Sequence, residues 1–579
     1  MILVFGGTTE GRKAVEVLEE GDNAYFYSTK TGEQDITLHH GQRIDGALDE
    51  EAMLAFCREQ DIRLIVDAAH PFASQLHQTI AQVSETLTIP AIRYERIYPE
   101  RDPEITWIDD YSQIPRDIHS LLATTGVQSI AKLKPLEVEG ISVFYRILNR
   151  ESSIALALKQ GAGEEQLCYY EDPKDIPVEA DAILLKESGL TGGFPEKVEA
   201  AKVRGMRIIA LKRPEMPERF TIINGPYGLR RAVEKLLPAF YPLHSGLTTG
   251  TCATAAAVAA TMRLMKNEMP DEVPVILPDG ETIHVTVGYG EGYAYCVKEA
   301  GDDPDVTNGI EIRASVKPFE TFEILGGEGV GTFTLPGFDY PPGEAAINKA
   351  PREMIRKNLE CLSSIQCPLS ITISVPQGAE IAKRTFNPRL GIEGGISIIG
   401  VSGIVKPFSE EAFIDSICKC MTVAQASGSK RVVINSGGKS ERYVKALYPD
   451  LPQQAFVEYG NYIGETLKIA HELNIKYVTL GVMLGKAVKL AAGHLDTHSR
   501  KATMDKEFIQ QMLKESDCDI DISEITLARE LWERLPQDKL QSFANTIISH
   551  CAAYCDPLLP NGSLTILLID DDGHIYNKG

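Results

Sequence analysis

Short apolar runs alternate with helical stretches along the first 240 residues, and glycine-containing turns separate them. The first such unit comprises the apolar residues 2–5, a turn at 6–11, a helical stretch at 12–20 and the aromatic residues 25–27. Apolar runs of this length between helices are typical of parallel strands that helices cover on both faces. The alternation therefore predicts parallel sheets and an α/β fold for this part of the chain.

The pattern changes near Pro238 and Pro242. The runs between residues 275 and 375 are rich in β-formers and are separated by Gly and Pro, which predicts an antiparallel or mixed sheet. Alternation returns at residue 431, and a closing strand is expected at 564–570.

We therefore expect an α/β protein with two domains. Residues 1–240 form a pair of Rossmann-like parallel-sheet subdomains. Residues 243–579 form an α+β domain with a nested doubly wound α/β subdomain.

Composition restricts the partners of the chain. The 579 residues carry 58 basic and 81 acidic side chains, a formal net charge of -23, which argues against nucleic acid and anionic membranes as partners. The sequence shows no signal peptide and no long apolar run, so a cytoplasmic location is expected. The eleven cysteines lack the spacing of a zinc site, which indicates reduced thiols and no structural metal. The sequence is compatible with a homo-oligomer.

Residues 244–260, HSGLTTGTCATAAAVAA, place hydroxyls and glycines directly before an alanine-rich helix. The free N–H groups of a first helical turn, together with Thr248, Thr249 and Thr251, predict a cradle for a substrate carboxylate or phosphate. An ordinary capped core helix is the alternative. Cys252 is read as a small packing residue rather than a nucleophile.

Several polar turns follow the strands expected in the first 240 residues. Ligands of open α/β sheets bind at the carboxyl ends of the strands, so these turns are candidate cofactor contacts. Asp67 and His70 also follow a strand, although helix capping or packing would explain them equally well. The candidate contacts are Gly6, Gly7, Thr8, Thr125, Gly126, Ser188 and Gly189, with Lys186 beside them.

These segments resemble the precorrin-6A reductase family over residues 1–240. The resemblance is carried by the opening Gly-Gly-Thr, the block Asp-Ala-Ala-His-Pro-Phe-Ala, Arg-Tyr-Glu-Arg at 93–96, the Thr-Thr-Gly turn, the Lys-Glu-Ser-Gly loop and Arg213-Pro214. It implies reduction of a macrocycle double bond by NADH or NADPH. His70 and Lys186 are the candidate proton donors. Asp35 or Lys30 is considered for ribose recognition, without a choice between the two cofactors.

Two polar segments of the second half indicate ligand contacts. KEAGDDPDVTNG at 298–309 ends a strand with four acidic residues, which indicates either a cation or amide site or a turn held by Asx hydrogen bonds. Lys383, Arg384 and Arg389 suit substrate carboxylates.

A glycine turn at Ser436, Gly437 and Gly438 follows an expected strand, and Glu458 ends the next strand. A glycine turn for a charged tail and an acid for ribose hydroxyls predict a nucleotide-type site, here for S-adenosylmethionine. Lys486 and His498 are expected to face the same cleft as substrate contacts. A metal held by His494 and His498, if they share a helix, is less favoured than a hydrogen-bonding role.

Residues 243–579 are similar to the cobalt-precorrin-5B C1-methyltransferase family. The motifs that carry the similarity are TTGTCA, KEAGDDPDVTNG, GGEGVGT, GEAAIN, ISVPQGAEIAKRTFNPRLGIEGGISIIG, LGKAVKLAAG and THSR. The similarity implies methyl transfer from S-adenosylmethionine to C1 of a tetrapyrrole that brings its own cobalt, without a covalent enzyme nucleophile.

The two resemblances together imply a bifunctional enzyme of anaerobic cobalamin synthesis. It would methylate cobalt-precorrin-5B to cobalt-precorrin-6A and reduce that product to cobalt-precorrin-6B. One alternative keeps the methyltransferase and makes the N-terminal half a non-catalytic tetrapyrrole-binding module. The other is a corrinoid carrier, but Asp496-Thr497-His498 departs from the Asp-x-His-x-x-Gly pattern at Lys501.

Overall fold

The computed structural model describes residues 1–30, 35–172, 174–362, 368–499, 501–518, 520–525 and 528–577. The chain divides into two compact units. The first comprises Met1–Ser245 and Pro274–His284, and the second comprises Gly246–Val273 and Val285–Gly579. Among the described residues, no helix combines the length and apolar character that crossing a bilayer requires.

The first unit is built from short strands that alternate with helices. Its strands are β1 (Ile2–Phe5), β2 (Tyr25–Thr29), β3 (Gly41–Asp45), β4 (Leu64–Asp67), β5 (Ala91–Tyr94), β6 (Thr106–Ile108), β7 (Ser120–Ala123), β8 (Ser142–Ile147), β9 (Leu167–Tyr169), β10 (Ala182–Lys186), β11 (Arg207–Leu211) and β12 (Phe220–Ile223). Its helices are α1 (Thr9–Leu18), α2 (Glu50–Glu59), α3 (Ser74–Leu87), α4 (Ile130–Val138), α5 (Glu151–Lys159), α6 (Phe194–Val203) and α7 (Pro226–Leu236).

These strands form two parallel six-stranded sheets, in which β1–β5 and β7–β11 have the same topology, whereas the sixth strand enters last in the first sheet (β12) and first in the second (β6). The strand orders are β3-β2-β1-β4-β5-β12 and β9-β8-β7-β10-β11-β6. In each sheet the chain moves outward from a central strand, β1 or β7, and then crosses to its other side at β4 or β10. Each sheet therefore has a topological switch point, where neighbouring connections leave in opposite directions and ligands of α/β proteins bind.

Burial on both faces explains the continuous apolar runs. In β1, Ile2 and Val4 pack into a core with α1 and α7, whereas Leu3 and Phe5 pack into a separate core with α2 and α3. All four side chains are buried, so no polar alternation appears in the sequence. The expected pair of parallel-sheet subdomains is thus confirmed.

The second unit contains a mixed region and a nested α/β region. Its strands are β13 (Gly246–Leu247), β14 (Glu272–Ile276), β15 (Thr282–Thr286), β16 (Gly288–Gly290), β17 (Tyr293–Val297), β18 (Glu311–Pro318), β19 (Glu323–Gly326), β20 (Thr332–Phe333), β21 (Leu369–Ser374), β22 (Ile392–Glu393), β23 (Ile404–Val405), β24 (Arg431–Asn435), β25 (Phe456–Glu458), β26 (Tyr477–Met483), β27 (Ser563–Ile569) and β28 (Ile575–Asn577). Residues 274–284 of β14, β15 and their connection are counted with the first unit. The helices are α8 (Thr249–Lys266), α9 (Lys349–Glu360), α10 (Gly378–Ala382), α11 (Glu410–Ala426), α12 (Gly438–Leu447), α13 (Ile463–Glu472), α14 (Leu484–Ala491), α15 (Lys506–Glu515), α16 (Ala528–Arg534) and α17 (Leu540–Cys555).

The first sheet of this unit has the order β16-β17-β18-β21-β19 and is mixed, because only the pair of β19 and β21 is parallel. Helix α8 packs on this sheet and on α9. Its alanines between residues 253 and 259 are fully buried, because small side chains let the helix approach the strands closely.

The nested sheet has the order β25-β24-β26-β27-β28. The first four strands are parallel, and β28 is antiparallel to β27. The expected doubly wound subdomain is therefore present. The strand predicted at 564–570 is β27, but it is not the closing strand, because β28 follows it at the sheet edge.

Candidate functional sites

The turn after β1 lies at the switch point of the first sheet. The Thr8 hydroxyl accepts a hydrogen bond from the Gly11 amide (3.1 Å) and so caps α1, and it donates to the Ala68 carbonyl (2.6 Å) after β4. The Gly7 amide donates to the Tyr27 hydroxyl (3.1 Å), and the positive φ of Gly7 (91°) favours glycine. A side chain at Gly6 would collide with Tyr27. Gly6, Gly7 and Thr8 thus form a tight turn beside the segment that carries His70.

The corresponding turns of the second sheet lie at its own switch point. The Thr124 amide donates to the Leu184 carbonyl (3.0 Å), which joins the ends of β7 and β10. The hydroxyls of Thr125 and Ser129 lie 2.6 Å apart, and the Ser188 hydroxyl donates to the Gly192 carbonyl (3.1 Å). The two predicted glycines of these turns, Gly126 (φ 83°) and Gly189 (φ 71°), have left-handed backbones.

A buried ion pair brings the turns of the two sheets together. Arg96 donates from Nε to the Glu10 carboxylate of α1 (3.0 Å) and from Nη1 to the Ser188 carbonyl (2.8 Å). The Thr191 hydroxyl donates to the same carboxylate. The predicted turns of the first unit therefore converge on one region, although their contacts with a cofactor stay a prediction.

His70 and Lys186 meet in this region. The Lys186 Nζ lies 5.0 Å from the centroid of the Phe72 ring, and the His70 Nδ1 accepts from the Phe72 amide (3.2 Å). The surrounding protein, followed by the charges of Arg96, Lys186 and Arg93, lowers the pKa of His70 to about 3. Burial and the charge of Lys132 lower the pKa of Lys186. At neutral pH His70 is uncharged, so Lys186 is the stronger candidate for a proton donor.

Asp67 is held by hydrogen bonds within the protein. Its fully buried carboxylate accepts from Arg93 Nη1 (3.0 Å) and from the Ala69 amide (3.1 Å), and it lies 2.6 Å from His77 Nδ1. Burial alone would raise the pKa of Asp67, but the His77 hydrogen bond and the Arg93 charge hold it below its ordinary value. His77 carries no sequence motif that would indicate this role, because it lies ten residues away from Asp67 in α3.

In the second unit, the start of α8 is closed by the chain itself. The Thr248 hydroxyl accepts from the Thr251 amide (3.2 Å), the Thr249 hydroxyl accepts from the Ile399 amide (2.8 Å), and the Thr251 hydroxyl donates to the Gly403 carbonyl (2.6 Å). The Gly250 amide donates to the Ile399 carbonyl (2.9 Å). Carbonyl oxygens occupy the position expected for an anion, so the structure resembles the capped core helix. Substrate binding by the three threonines stays a prediction.

The acidic turn at 298–309 is also held by its own side chains. The buried Lys298 donates to Asp305 (2.8 Å), whose other oxygen accepts from the amide (2.7 Å) and hydroxyl (2.6 Å) of Thr307. The Asn308 side chain accepts from the Ala300 amide (2.9 Å). This is the Asx-type arrangement that the sequence left open against a cation site.

The three predicted cations of residues 383–389 have different surroundings. Lys383 pairs with Glu380 (2.5 Å) at the surface, and Arg384 is exposed. Arg389 is partly buried and donates from Nη1 to Glu441 of α12 (2.9 Å). Only Arg389 borders the pocket described below.

The glycine turn of the nested sheet lies against the predicted acid. Ser436, Gly437 and Gly438 follow β24, and Gly437 (φ 82°) lies so close to the Glu458 carboxylate that a side chain there would collide with it. Strand β24 lies between β25 and β26, so the turn is at the switch point of this sheet. Burial raises the pKa of Glu458, and Arg389 opposes this effect.

Lys486 and the segment that carries His498 lie at the same end of the sheet. The Lys486 Nζ donates to Asn461 Oδ1 (2.8 Å) and to the Gly460 carbonyl, and the Thr497 amide donates to the Asn461 carbonyl (3.1 Å). The His498 amide donates to Asp496 (3.0 Å). His494 and His498 lie beyond the end of α14 and share no helix face, so a helical His pair is not formed. Residue 500 of THSR lies outside the described residues.

A small pocket opens beside the glycine turn of residues 436–438. Its walls come from the segment after α10, from α11 and from β25. The lining side chains include Phe386, Arg389, Phe413, Phe456 and Glu458. Because these residues come from three distant segments, no local motif could indicate the pocket.

Comparison with known proteins assigns both parts of the chain. Residues 1–226 match the family model described as Precorrin-6x reductase CbiJ/CobK, residues 239–407 match CbiD, and residues 496–579 match the CbiD C-terminal domain. The cobalt-precorrin-5B C(1)-methyltransferase of Prosthecochloris aestuarii is 41% identical over 345 residues, which cover 56% of this chain and 94% of that protein. The protein of the same name from Priestia megaterium is 39% identical, over 53% of this chain and 88% of its own length.

Two solved structures are also similar to parts of the chain. The cobalamin biosynthesis protein (cbiD) from Archaeoglobus fulgidus is 32% identical, with a TM-score of 0.27, over 45% of this chain and 83% of that one. CobK precorrin-6A reductase is 17% identical, with a TM-score of 0.33, over 41% and 97% respectively. The chain belongs to the cobalt-precorrin-5B C(1)-methyltransferase family, and its residues 1–226 match the family model of precorrin-6x reductase.

Proposed function

We propose that the chain catalyses two consecutive steps of cobalamin biosynthesis in the cytoplasm. Residues 243–579 methylate C1 of cobalt-precorrin-5B, and residues 1–240 reduce the resulting cobalt-precorrin-6A to cobalt-precorrin-6B. The observation that carries the proposal is the joining of a methyltransferase-family region and a reductase-family region in one polypeptide. Tethering raises the local concentration of a scarce intermediate near the second site.

For methyl transfer, the nested sheet supplies the binding groups. S-adenosylmethionine, when bound, provides an electrophilic methyl group. Ser436, Gly437 and Gly438 fit its charged tail, because they lead into the first turn of α12, which has no side-chain cap, and Glu458 fits its ribose hydroxyls. The remaining candidates from the sequence are assigned to the tetrapyrrole: Thr248, Thr249, Thr251, Lys383, Arg384, Arg389, Lys486 and His498.

For the reduction, the two switch points of the first unit supply the binding groups. NADH or NADPH, when bound, provides a hydride. The turns with positive-φ glycines fit a phosphate-bearing cofactor, because no Cβ limits the approach to their amides. Lys186 holds the proton for the neighbouring carbon, and His70, uncharged, accepts a hydrogen bond beside it. Glu10 and Arg96 fix the two turns relative to each other.

The test uses the purified full-length protein. With cobalt-precorrin-5B and S-adenosylmethionine labelled in its methyl group, the label is expected in the tetrapyrrole, whereas a corrinoid carrier would transfer none. Adding NADH or NADPH afterwards is expected to remove part of the conjugated absorbance. Transfer of label without that loss would contradict the reductase half and favour a non-catalytic binding module.

A further inference from the structure

Two segments of the first unit join its two parallel sheets. Residues 95–105 connect β5 to β6, and residues 212–219 connect β11 to β12. Because β5 and β12 belong to the first sheet and β6 and β11 to the second, the chain passes from one sheet to the other in both segments. We call residues 95–105 the first crossing and residues 212–219 the second crossing. The way in which the crossings are held sets how the two sheets lie relative to each other.

Glu187, the residue after β10, binds both crossings. Its Oε1 atom accepts from Nε of Arg101 in the first crossing (3.0 Å) and from Nη1 of Arg213 in the second crossing (3.0 Å). Its Oε2 atom accepts from Arg101 Nη2 (2.9 Å) and from the Arg213 amide (2.9 Å). A carboxylate has about four lone-pair positions, so these four hydrogen bonds use its whole accepting capacity.

The Glu187 carboxylate is buried and charged. The residue is 3% exposed, whereas both arginines are partly exposed. Burial alone would raise the pKa of Glu187, but the hydrogen bonds from Arg101 and the Arg213 amide, together with the charges of both arginines, hold it below its ordinary value. A buried charge that loses its partner is strongly destabilising, so the arrangement depends on both crossings being in place.

The crossings also contact each other and the loop after β10. The Arg213 guanidinium lies 3.7 Å from the centroid of the Tyr98 ring, which belongs to the first crossing. The Leu190 amide donates to the Ile97 carbonyl of the same crossing (3.0 Å). A displacement of one crossing is therefore transmitted to the other and to the end of β10.

The residue before Glu187 is Lys186, the candidate proton donor. Lys186 ends β10 of the second sheet, whereas the turn at residues 6–8 follows β1 of the first sheet. The reduction needs a hydride on one carbon of the ring and a proton on its neighbour. Reacting atoms must lie about 3–3.5 Å apart, so a small shift between the two sheets would separate the donors from the ring.

We propose that Glu187 is a positioning residue of the reduction, which fixes Lys186 on the second sheet relative to the cofactor turn on the first by holding both crossings. It acts through Arg101 and Arg213 rather than on the reacting atoms. The inference rests on the proposed reductase function and deepens it.

The first experiment measures the reduction of cobalt-precorrin-6A by the full-length protein. Gln has the size of Glu but its NH₂ group cannot accept, so Glu187→Gln leaves one oxygen for four donors. The kcat is expected to fall by about 10- to 100-fold, because a misplacement of about 1 Å can cost about 100-fold. The Kd of NADPH and of NADH, measured by titration calorimetry, should rise by less than about threefold, since binding tolerates a shift that the chemistry does not. A Kd that rises as much as kcat falls would show a local structural role and overturn the proposal.

Glu137→Gln is the matched control. The Glu137 carboxylate accepts from Lys134 Nζ (2.7 Å) and from the Tyr145 hydroxyl, which lie in α4 and β8 and in neither crossing. Its kcat and Kd should equal those of the wild-type protein. Arg101→Met is a second test variant that spares the buried carboxylate itself, because the Arg101 side chain is 44% exposed. It removes two of the four hydrogen bonds and should lower kcat by a smaller factor than Glu187→Gln.

Hydrogen exchange of the ligand-free protein gives a readout that does not depend on activity. The Leu190 amide reports the first crossing, and the Arg213 amide reports the second. Both should exchange at least about fivefold faster in Glu187→Gln, because hydrogen bonds to a charged acceptor are lost, and at the wild-type rate in Glu137→Gln. Wild-type kcat in Glu187→Gln and Arg101→Met, or wild-type exchange at either amide, would overturn the proposal. If the wild-type protein reduces no substrate, the proposed reductase function fails, whereas faster exchange of both amides would still show that Glu187 holds the crossings.

Discussion

Replacing Arg93 with Met tests whether the switch point of the first sheet depends on a buried ion pair. The Arg93 side chain is fully buried and donates from Nη1 to the Asp67 carboxylate (3.0 Å) and to the carbonyls of Asp67 (3.2 Å) and Ala69 (2.9 Å). It also pairs with Glu95 (3.3 Å). Met has a similar length but no charge, so it leaves the Asp67 and Glu95 carboxylates without their cation.

Breaking a buried pair by removing one partner costs about 3–5 kcal/mol. Dividing by a urea m-value of about 3 kcal/mol per M predicts a fall of the unfolding midpoint by about 1 to 2 M. Adding Asp67→Asn to Arg93→Met should recover part of this loss, because it removes one of the two carboxylate charges that the guanidinium had paired. The two substitutions are in contact and should therefore couple by at least about 1 kcal/mol.

The assay uses tryptophan fluorescence. The chain has two tryptophans, Trp107 in β6 of the first unit and Trp532 in α16 of the second. In a Trp532→Phe background, Trp107 reports unfolding of the first unit alone. A loss below about 1 kcal/mol for Arg93→Met, or strictly additive effects in the double variant, would show that the buried ion pair does not stabilise this switch point.

Three further predictions concern the candidate sites. Lys186→Met should slow the reduction by about 10²- to 10⁴-fold, the usual contribution of general acid–base catalysis, whereas His70→Gln should slow it much less. Methyl transfer by either variant serves as an internal control. Equal losses in both variants would contradict the role of Lys186 as the proton donor. Gly437→Ala should weaken S-adenosylhomocysteine binding at least about tenfold, because the new Cβ meets the Glu458 carboxylate. Gly438 also has a positive φ, but a Cβ there meets open space. In titration calorimetry, Gly438→Ala should therefore bind S-adenosylhomocysteine more tightly than Gly437→Ala. The pKa of Asp67 is lower in the folded state, so its contribution to stability is present above the unfolded pKa of about 3.9 and is lost as the pH falls towards the folded value. Between pH 7 and pH 3, the urea midpoint of Asp67→Asn should therefore fall less steeply than that of the wild-type protein. Parallel profiles would contradict a stabilising role of the Asp67 charge.

The turns at the two switch points of the first unit could be predicted, because the residues that form each turn are adjacent in sequence. A short apolar run, a glycine turn and a helical stretch identify the end of each strand, and the parallel topology brings such ends to one edge. Gly7, Gly126 and Gly189 all have the left-handed backbone that a strand-to-helix turn requires.

The start of α8 could not be predicted in the same way. Its threonines have the composition of an anion cradle, but the groups that fill it come from residues 397–403, some 150 positions away in sequence. Residues 397–403 reach the start of α8 only through tertiary packing. The aromatic pocket has the same property, since Phe386, Phe413 and Phe456 share no motif, and only the fold brings them together.

Mass spectrometry of the tetrapyrrole from one reaction mixture tests whether a single chain carries out both steps. Full-length protein, cobalt-precorrin-5B, S-adenosylmethionine and a reduced nicotinamide nucleotide are incubated together without other enzymes. We expect a product that has gained one methyl group and the two hydrogens of a reduced double bond, with the methylated, unreduced species appearing first. A product that gains the methyl group but never the hydrogens, with both NADH and NADPH supplied, would contradict the claim that one chain performs both steps.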